Sequence, residues 1–429
     1  MSLQRTAAAL LLASLVIAAG ADTDWLRFRG PNGSGIATGA QPPTAWSDTQ
    51  NLKWKTELPG PGTSSPIVVG DRVFVTCWTG HGATKGKSAM SRELVCVDRA
   101  SGKVKWAKSI AGESPVDGYE GYLPEHGYAS HTPTSDGERV FVYYGRGGAA
   151  AFDLDGKQLW HVKLGNSANA KNWGSAASPV LHKDTVIITA SEEAHAIVAL
   201  DKKTGKEVWR APGSALDYVF GTPVFAGTPA QPELVFSLPE ELWALNPDTG
   251  KLRWFATSNL PGNIAPSVVA GDGVIFAFGG FPQLGAVAVK TGGKGDVTTS
   301  HRLWQTRNST YVPTPVLHEE RLYVVTDQGF ALCLDAKTGE QVFKERLPGA
   351  SATGRGGKPF YASAVLANGN IFAVSRRNGT FVIEAKPQFK LVAQNSFAAD
   401  TTQFNATPAL SGKDMFLRSD KFLYCLATQ

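Results

Sequence analysis

The stretch AIVALDKKTGKEVW, residues 196–209, decides the fold. An alternating apolar run ends at Asp201, a Lys-Lys-Thr-Gly turn follows, and a short strand closes on Trp209. Gly205 falls where a four- or five-residue hairpin loop calls for positive φ, and Asp201 and Thr204 can bond the turn's own amides. The stretch reads as one β-hairpin. The same order of apolar run, Asp or Asn, Gly and aromatic recurs in LVCVDRASGKVKW (94–106), AAAFDLDGKQLW (149–160), ELWALNPDTGKLRW (241–254) and FALCLDAKTGEQVF (330–343). Degenerate copies stand at AVAVKTGGKGDVTTSHRLW (286–304) and TFVIEAKPQFKLV (380–392).

Each copy is preceded by a strand pair that opens on a small residue and proline: Ser65-Pro66, Thr132-Pro133, Ser178-Pro179, Thr222-Pro223, Ala265-Pro266, Thr314-Pro315 and Thr407-Pro408. On this reading only Ser363-Ala364 lacks the proline. Steps between successive closing aromatics (54, 106, 160, 209, 254, 304, 343) are 52, 54, 49, 45, 50 and 39 residues. A four-strand repeat of that length predicts β-propeller blades rather than a helical solenoid. NLKWKTEL (51–58) looks like the last strand of a blade with nothing before it, and 406–429 lacks its fourth strand. Joined, they predict an all-β, eight-bladed propeller of four-stranded antiparallel blades, closed by the N-terminal strand so that no sheet edge is left open.

Residues 1–21 carry Arg5, a fourteen-residue apolar run at 7–20 and small residues before a polar segment, the pattern of a cleaved signal peptide. No cysteine lies near the cleavage region, so a lipid anchor is not indicated. Residues 22–45, dense in Gly and Pro, are expected to form an extended arm laid over the outside of the propeller and anchored by Trp25 and Phe28. The propeller proper is placed at 46–429, as one domain and a monomer, exported to the periplasm or beyond the cell.

The chain has 42 Lys and Arg against 37 Asp and Glu, and the charges are scattered, a balance that does not point to nucleic acid. Nothing apart from the leader resembles a membrane span. Cys96, Cys333 and Cys425 take the strand position that Ala199 and Ala244 hold in other blades and read as small buried hydrophobes, with Cys77 and Cys96 the one pairing whose geometry could allow a bridge.

In a four-stranded blade, the second-to-third hairpins and the links to the next blade emerge on one face, and the Thr-Gly turns emerge on the other. The first face gathers Tyr128, Trp173, Tyr218, Phe220, Tyr311, Phe360, Tyr361 and Phe404, with Arg146, Arg355, Arg376 and Arg377. Of these, Tyr128, Trp173, Tyr311, Tyr361, Arg376 and Phe404, together with His131, are the candidate ligand- or partner-binding residues. Aromatics and arginines around a channel mouth suit a protein, a glycan or an anionic small molecule. Filling the gaps between inner strands is the structural alternative for the rings. Trp54, Trp106, Trp160, Trp209, Trp254 and Trp304 follow the blade period and are assigned to packing between blades. His126 and His131 near Asp117, Glu120 and Glu125 match no zinc or calcium spacing, and Glu192-Glu193 beside His195 reads as a solvated hairpin tip. No nucleophile elbow, Walker loop or carboxylate pair is present, so no catalytic residue is assigned.

The pattern in ALDKKTGKEVW, with the Thr-Pro strand openings, resembles the pyrroloquinoline quinone (PQQ) repeat propellers over residues 45–429. The resemblance implies a tryptophan-docking motif, each Trp lying against the next blade, with Phe343 and Val392 departing from it. It also implies two branches. Quinoprotein dehydrogenases use PQQ with calcium and clamp the cofactor with adjacent cysteines, a pair absent here, whereas scaffold members such as BamB are non-catalytic. The expectation is a non-catalytic envelope scaffold with no cofactor. The alternatives are a PQQ-dependent oxidoreductase and a carbohydrate-binding propeller.

Overall fold

A computed structural model describes residues 24–80, 90–111, 123–167, 173–350 and 357–428. The leader, Arg355, Asp117, Glu120 and most of the two polar insertions lie outside them.

Eight sheets radiate as the blades of a propeller. Blade 1 runs Ile67–Val69, Arg72–Thr79, Ser91–Asp98 and Val104–Ala111 from the axis outward. Blades 2 to 7 repeat this order. Blade 8 takes three strands from the C-terminus and its outer strand, Leu52–Glu57, from the N-terminal side, with Trp54 opposite Cys425 in antiparallel register. The core lies between neighbouring blades: Phe74 and Cys96 of blade 1, for instance, share an apolar cluster with Val140, Ala150 and Phe152 of blade 2.

The repeated hairpin is built from its own side chains. The Asp201 carboxylate accepts from the Lys203 and Thr204 amides at 3.1 and 2.8 Å and from the Thr204 hydroxyl at 2.7 Å. Gly205 sits at φ 70°, as the turn requires. A β-bulge one residue before the closing aromatic then pushes Val208 out to 53% exposure and turns Trp209 inward.

Inward, that Trp meets the next blade's turn. The indole N–H of Trp54, Trp106, Trp160, Trp209 and Trp304 donates to the carbonyl of Arg99, Leu154, Lys202, Pro247 and Ala336 respectively, at 2.9 to 3.2 Å. A Cβ built on Gly102, Gly156, Gly205, Gly250 or Gly339 would clash with the ring, so these glycines admit it. Trp254 is fully buried beneath Gly295–Asp296, which pairs in parallel with Trp254 and Phe255 in place of a tight turn. Phe343 meets Phe389.

Blade 7 departs further than its sequence suggests. Its bulge places Val392 outward, 41% exposed, and the docking position falls on Ala393, opposite Val382. The missing ring is supplied by Trp46, whose indole stacks on Phe372 with centroids 6.5 Å apart. Register makes Phe372 the counterpart of Phe74, Phe141, Phe276 and Phe416, which hold Trp106, Trp160, Trp304 and Trp54.

At the axis the blades are joined by a closed circle of hydrogen bonds. The amides of Ser65, Thr132, Ser178, Thr222, Ser267, Thr314, Ser363 and Thr407 each donate to the side-chain hydroxyl of the next of these residues, the last returning to Ser65, at 2.9 to 3.1 Å. Blade 5 enters the circle through Ser267, not Ala265, so the Ala265-Pro266 pair stands out of register and blades 5 and 7 both lack a proline after the ring residue.

The arm does not lie on the outside, because its polar groups find partners at the inner strands. Trp25 bridges Val68, the Leu26 carbonyl accepts from Ser135, and the Arg27 and Arg29 guanidiniums reach the Pro223 and Pro315 carbonyls. Ile36–Ala37 then pairs in parallel with Leu366–Ala367. The arm therefore crosses the lower mouth of the axial channel from blade 1 to blade 7, with Phe28 lining that channel.

All four cysteines are free and buried; Cys77 faces Glu93 and Cys96 faces Phe74, so no bridge joins them. Among the described residues, no helix is long and apolar enough to cross a membrane.

Candidate functional site

On the upper face Arg376 is the most connected of the candidate side chains. It pairs with Glu125 at 2.7 Å, donates to Asn405 at 3.0 Å and to Gln403, and lies 4.3 Å above the Tyr361 ring. Burial raises the Tyr361 hydroxyl to about 12, so it stays a neutral donor. Trp173 packs on Phe220 and Tyr218, and Phe404 stacks with Phe397 and Tyr424. The Tyr311 ring lies against Phe281, and its hydroxyl accepts from Asn263 at 3.2 Å. Phe220 and Tyr361 both line the axial channel. Tyr128 and His131 sit apart from them, buried beside blades 1 to 3.

Around His131 the fold assembles a polar cluster that the sequence order conceals. Ser175 donates to one Glu193 oxygen at 2.6 Å and Tyr143 donates to the other at 2.7 Å. Because the Ser175 proton is committed to Glu193, the 3.0 Å contact with His131 makes Nε2 the donor and leaves Nδ1 a bare, buried acceptor. Burial holds the imidazole down at about 3, and His126 and Arg92 add to the effect. The imidazole is thus not placed to activate the serine, whose hydroxyl proton is held by the buried Glu193 carboxylate instead. Glu192 and Glu193 are buried, not solvated: Ser175 and Tyr143, 18 and 50 residues from Glu193, bring it inside. Gly145, at φ 58°, permits the approach, since a Cβ there would stand 2.6 Å from the Glu193 carboxylate. His126 bonds Ser130 and the Trp173 carbonyl and so ties two loops together. No cluster of three or more metal-ligating groups occurs among the described residues.

The axial channel is a well of about 150 Å³, lined by the hydroxyl circle and by the residues just above it, with Phe28 at its lower end. Its described lining contains no carboxylate. Calcium prefers several carboxylate and carbonyl oxygens, and ligand pockets commonly span ~300–1,000 Å³. PQQ with calcium therefore does not fit this well. Below the circle, Arg29 is fully buried: one guanidinium nitrogen donates to Pro315, Ala364 and Ser34 carbonyls, while Nε and Nη1 have no partner. Burial with no carboxylate beside them pulls Arg29 down to about 9 and Arg27 to about 10, so both remain charged at neutral pH.

Sequence reasoning missed two residues. Phe281, at the tip of GGFPQLG (279–285), is 52% exposed and is the one exposed aromatic among the described residues. An aromatic between Gly-Gly and Pro at a hairpin tip was the available signal. Trp46 carried none, since it lies outside the repeat.

Two comparisons at the sequence level bear on this architecture. The family described as "Outer membrane protein assembly factor BamB" matches residues 79–231 and 195–427. A curated relative, the outer membrane protein assembly factor BamB of Burkholderia pseudomallei (strain K96243), is 24% identical over 238 residues, 51% of this chain and 56% of the relative. The chain thus matches a little over half the length of that relative. Among solved structures, BamB from Moraxella catarrhalis superposes with a TM-score of 0.59 at 13% identity, covering 88% of this chain and 99% of that one. A europium-containing methanol dehydrogenase gives 0.62 at 11% identity over 94% and 98%. At such identities the structural likenesses establish a shared fold and do not choose between an enzyme and a scaffold.

Proposed function

The chain belongs to the family described as outer membrane protein assembly factor BamB, and from that premise we propose that it is a non-catalytic scaffold on the periplasmic side of the cell envelope, holding a protein partner against its upper face. The observation that carries the reading is Phe281. A half-exposed aromatic ring propped on Tyr311, at the rim of a face whose other aromatics are packed into the protein, is the kind of anchor that protein interfaces concentrate their energy on. The remaining candidates fix its frame: Arg376, held by Glu125, Asn405 and Tyr361, makes the rim rigid rather than reactive.

The test uses the mature chain immobilised against an outer-membrane protein fraction, with the captured protein identified, purified and rebound. Phe281→Ala with Tyr311→Ala is expected to weaken that binding by at least about tenfold while the melting temperature holds. Unchanged binding would remove the partner from this face. A glycan array run on the same protein checks the carbohydrate reading, which has the exposed ring as its only support.

A further inference from the structure

The upper face does not account for the axial well, whose hydrogen-bonding inventory is one-sided. Each hydroxyl of the circle accepts an amide N–H from the neighbouring blade, and none donates its own proton to a protein acceptor among the described residues. Eight hydroxyl protons are left on the wall of one cavity whose described lining has no carboxylate. An accepted amide bond also polarises the hydroxyl, strengthening it as a donor.

Positive charge lies immediately beneath. The carbonyls that Arg29 and Arg27 reach belong to Pro315, Ala364 and Pro223, the residues that follow Thr314, Ser363 and Thr222 of the circle. Both guanidiniums therefore stand one residue below it. Neither has an acidic partner among the described residues, and a buried charge left so costs stability unless something offsets it. A narrow, low-dielectric channel focuses such a field along its axis.

We infer that the axial well is a binding site for a small anion, an inorganic oxyanion or a carboxylate, held by the hydroxyl circle above the arm's two arginines. This site goes beyond the scaffold reading and does not depend on it, because it involves neither Phe281 nor Tyr311. It also gives the arm a role: Phe28 lines the lower end of the well, and the charge of Arg27 and Arg29 on either side of it sets the sign of what enters.

The test is made on the mature full-length protein. Crystals soaked in sodium selenate are expected to show an anomalous peak on the propeller axis within hydrogen-bonding distance of the circle. Selenate found only at surface lysines, or a column of water in the well, would overturn the inference. In solution, calorimetric titration with sulfate and separately with acetate distinguishes an oxyanion site from a carboxylate site. Arg29→Met and the pair Ser267→Ala with Ser363→Ala are each expected to weaken the preferred anion at least tenfold, while Arg29→Lys keeps it within about threefold. Wild-type affinity in both weakened variants would refute the site. If those variants fail to fold, the selenate experiment on the unaltered protein decides alone.

Discussion

The seam between blades 3 and 4 and the seam between blades 7 and 8 fill the same space from different parts of the chain. In the first, Trp209 comes from the blade's own outer strand, lies over Gly250 and donates to the Pro247 carbonyl. In the second the strand offers only Ala393, and Trp46, six residues before the closing strand begins, occupies the place on Phe372. The difference teaches that the geometry of wedge-shaped neighbours demands a ring at this position, while its source is free. It also makes the last seam conditional on Trp46, because blade 7 cannot be docked until the segment that precedes blade 8's fourth strand is in place.

Truncating the self-supplied ring should have the largest effect. Trp209→Ala leaves a cavity against Gly250 and orphans the Pro247 carbonyl, and a loss of about 3–5 kcal/mol in chemical denaturation is expected. An effect under 1 kcal/mol would mean that the docking rings are ornaments of the fold.

Trp46→Ala should cost somewhat less, about 2–4 kcal/mol, since the Trp46 indole N–H has no partner to lose. Its signature should be local. Amide exchange is expected to rise in Phe422–Leu426 and Leu52–Glu57, whose pairing closes the ring, before it rises in blades 2 to 4. Adding Ala393→Trp to the Trp46→Ala protein sharpens the comparison: if the position rather than the donor segment matters, stability should return in part.

These two seams also mark what the sequence makes legible. Trp209 is found from its period, because each blade repeats one bulged hairpin and the bulge fixes which residue turns inward. Val392 was misplaced for the same reason: without the register, the bulge residue and the docking residue are adjacent and equally apolar. Trp46 leaves no periodic trace, and the arm's path across the lower mouth depends on carbonyls at the ends of inner strands that no local pattern announces. The small residues before the prolines are visible as a repeat, yet their role is not, since each hydroxyl serves the amide of another blade, 44 to 67 residues away and 342 where Thr407 returns to Ser65, and blade 5 shifts the pattern by two. The burial of Glu193 was hidden likewise. A charged pair at a hairpin tip looks solvated until Tyr143 and Ser175 arrive from the preceding blade and the following link.

The smallest expected effect contrasts the apolar seams with that polar cluster. Removing a docking tryptophan lowers stability by the same amount at every pH, whereas the cluster should make stability depend on pH. His131 is neutral when folded, with its proton affinity lowered by burial from 6.5 to about 3. The unfolded chain therefore binds more protons than the folded one as pH falls below about 6.5, and the stability that the neutral imidazole contributes, complete above that value, drains away toward pH 3. Between pH 6.5 and 5.5 the loss is about 1 kcal/mol for this one group. His131→Gln retains a donor to Ser175 and cannot titrate, so its denaturation midpoint should change less than the wild type's across that interval. An equal slope in both proteins would assign the acid sensitivity to other groups and leave His131 as packing alone, its Nδ1 met by water.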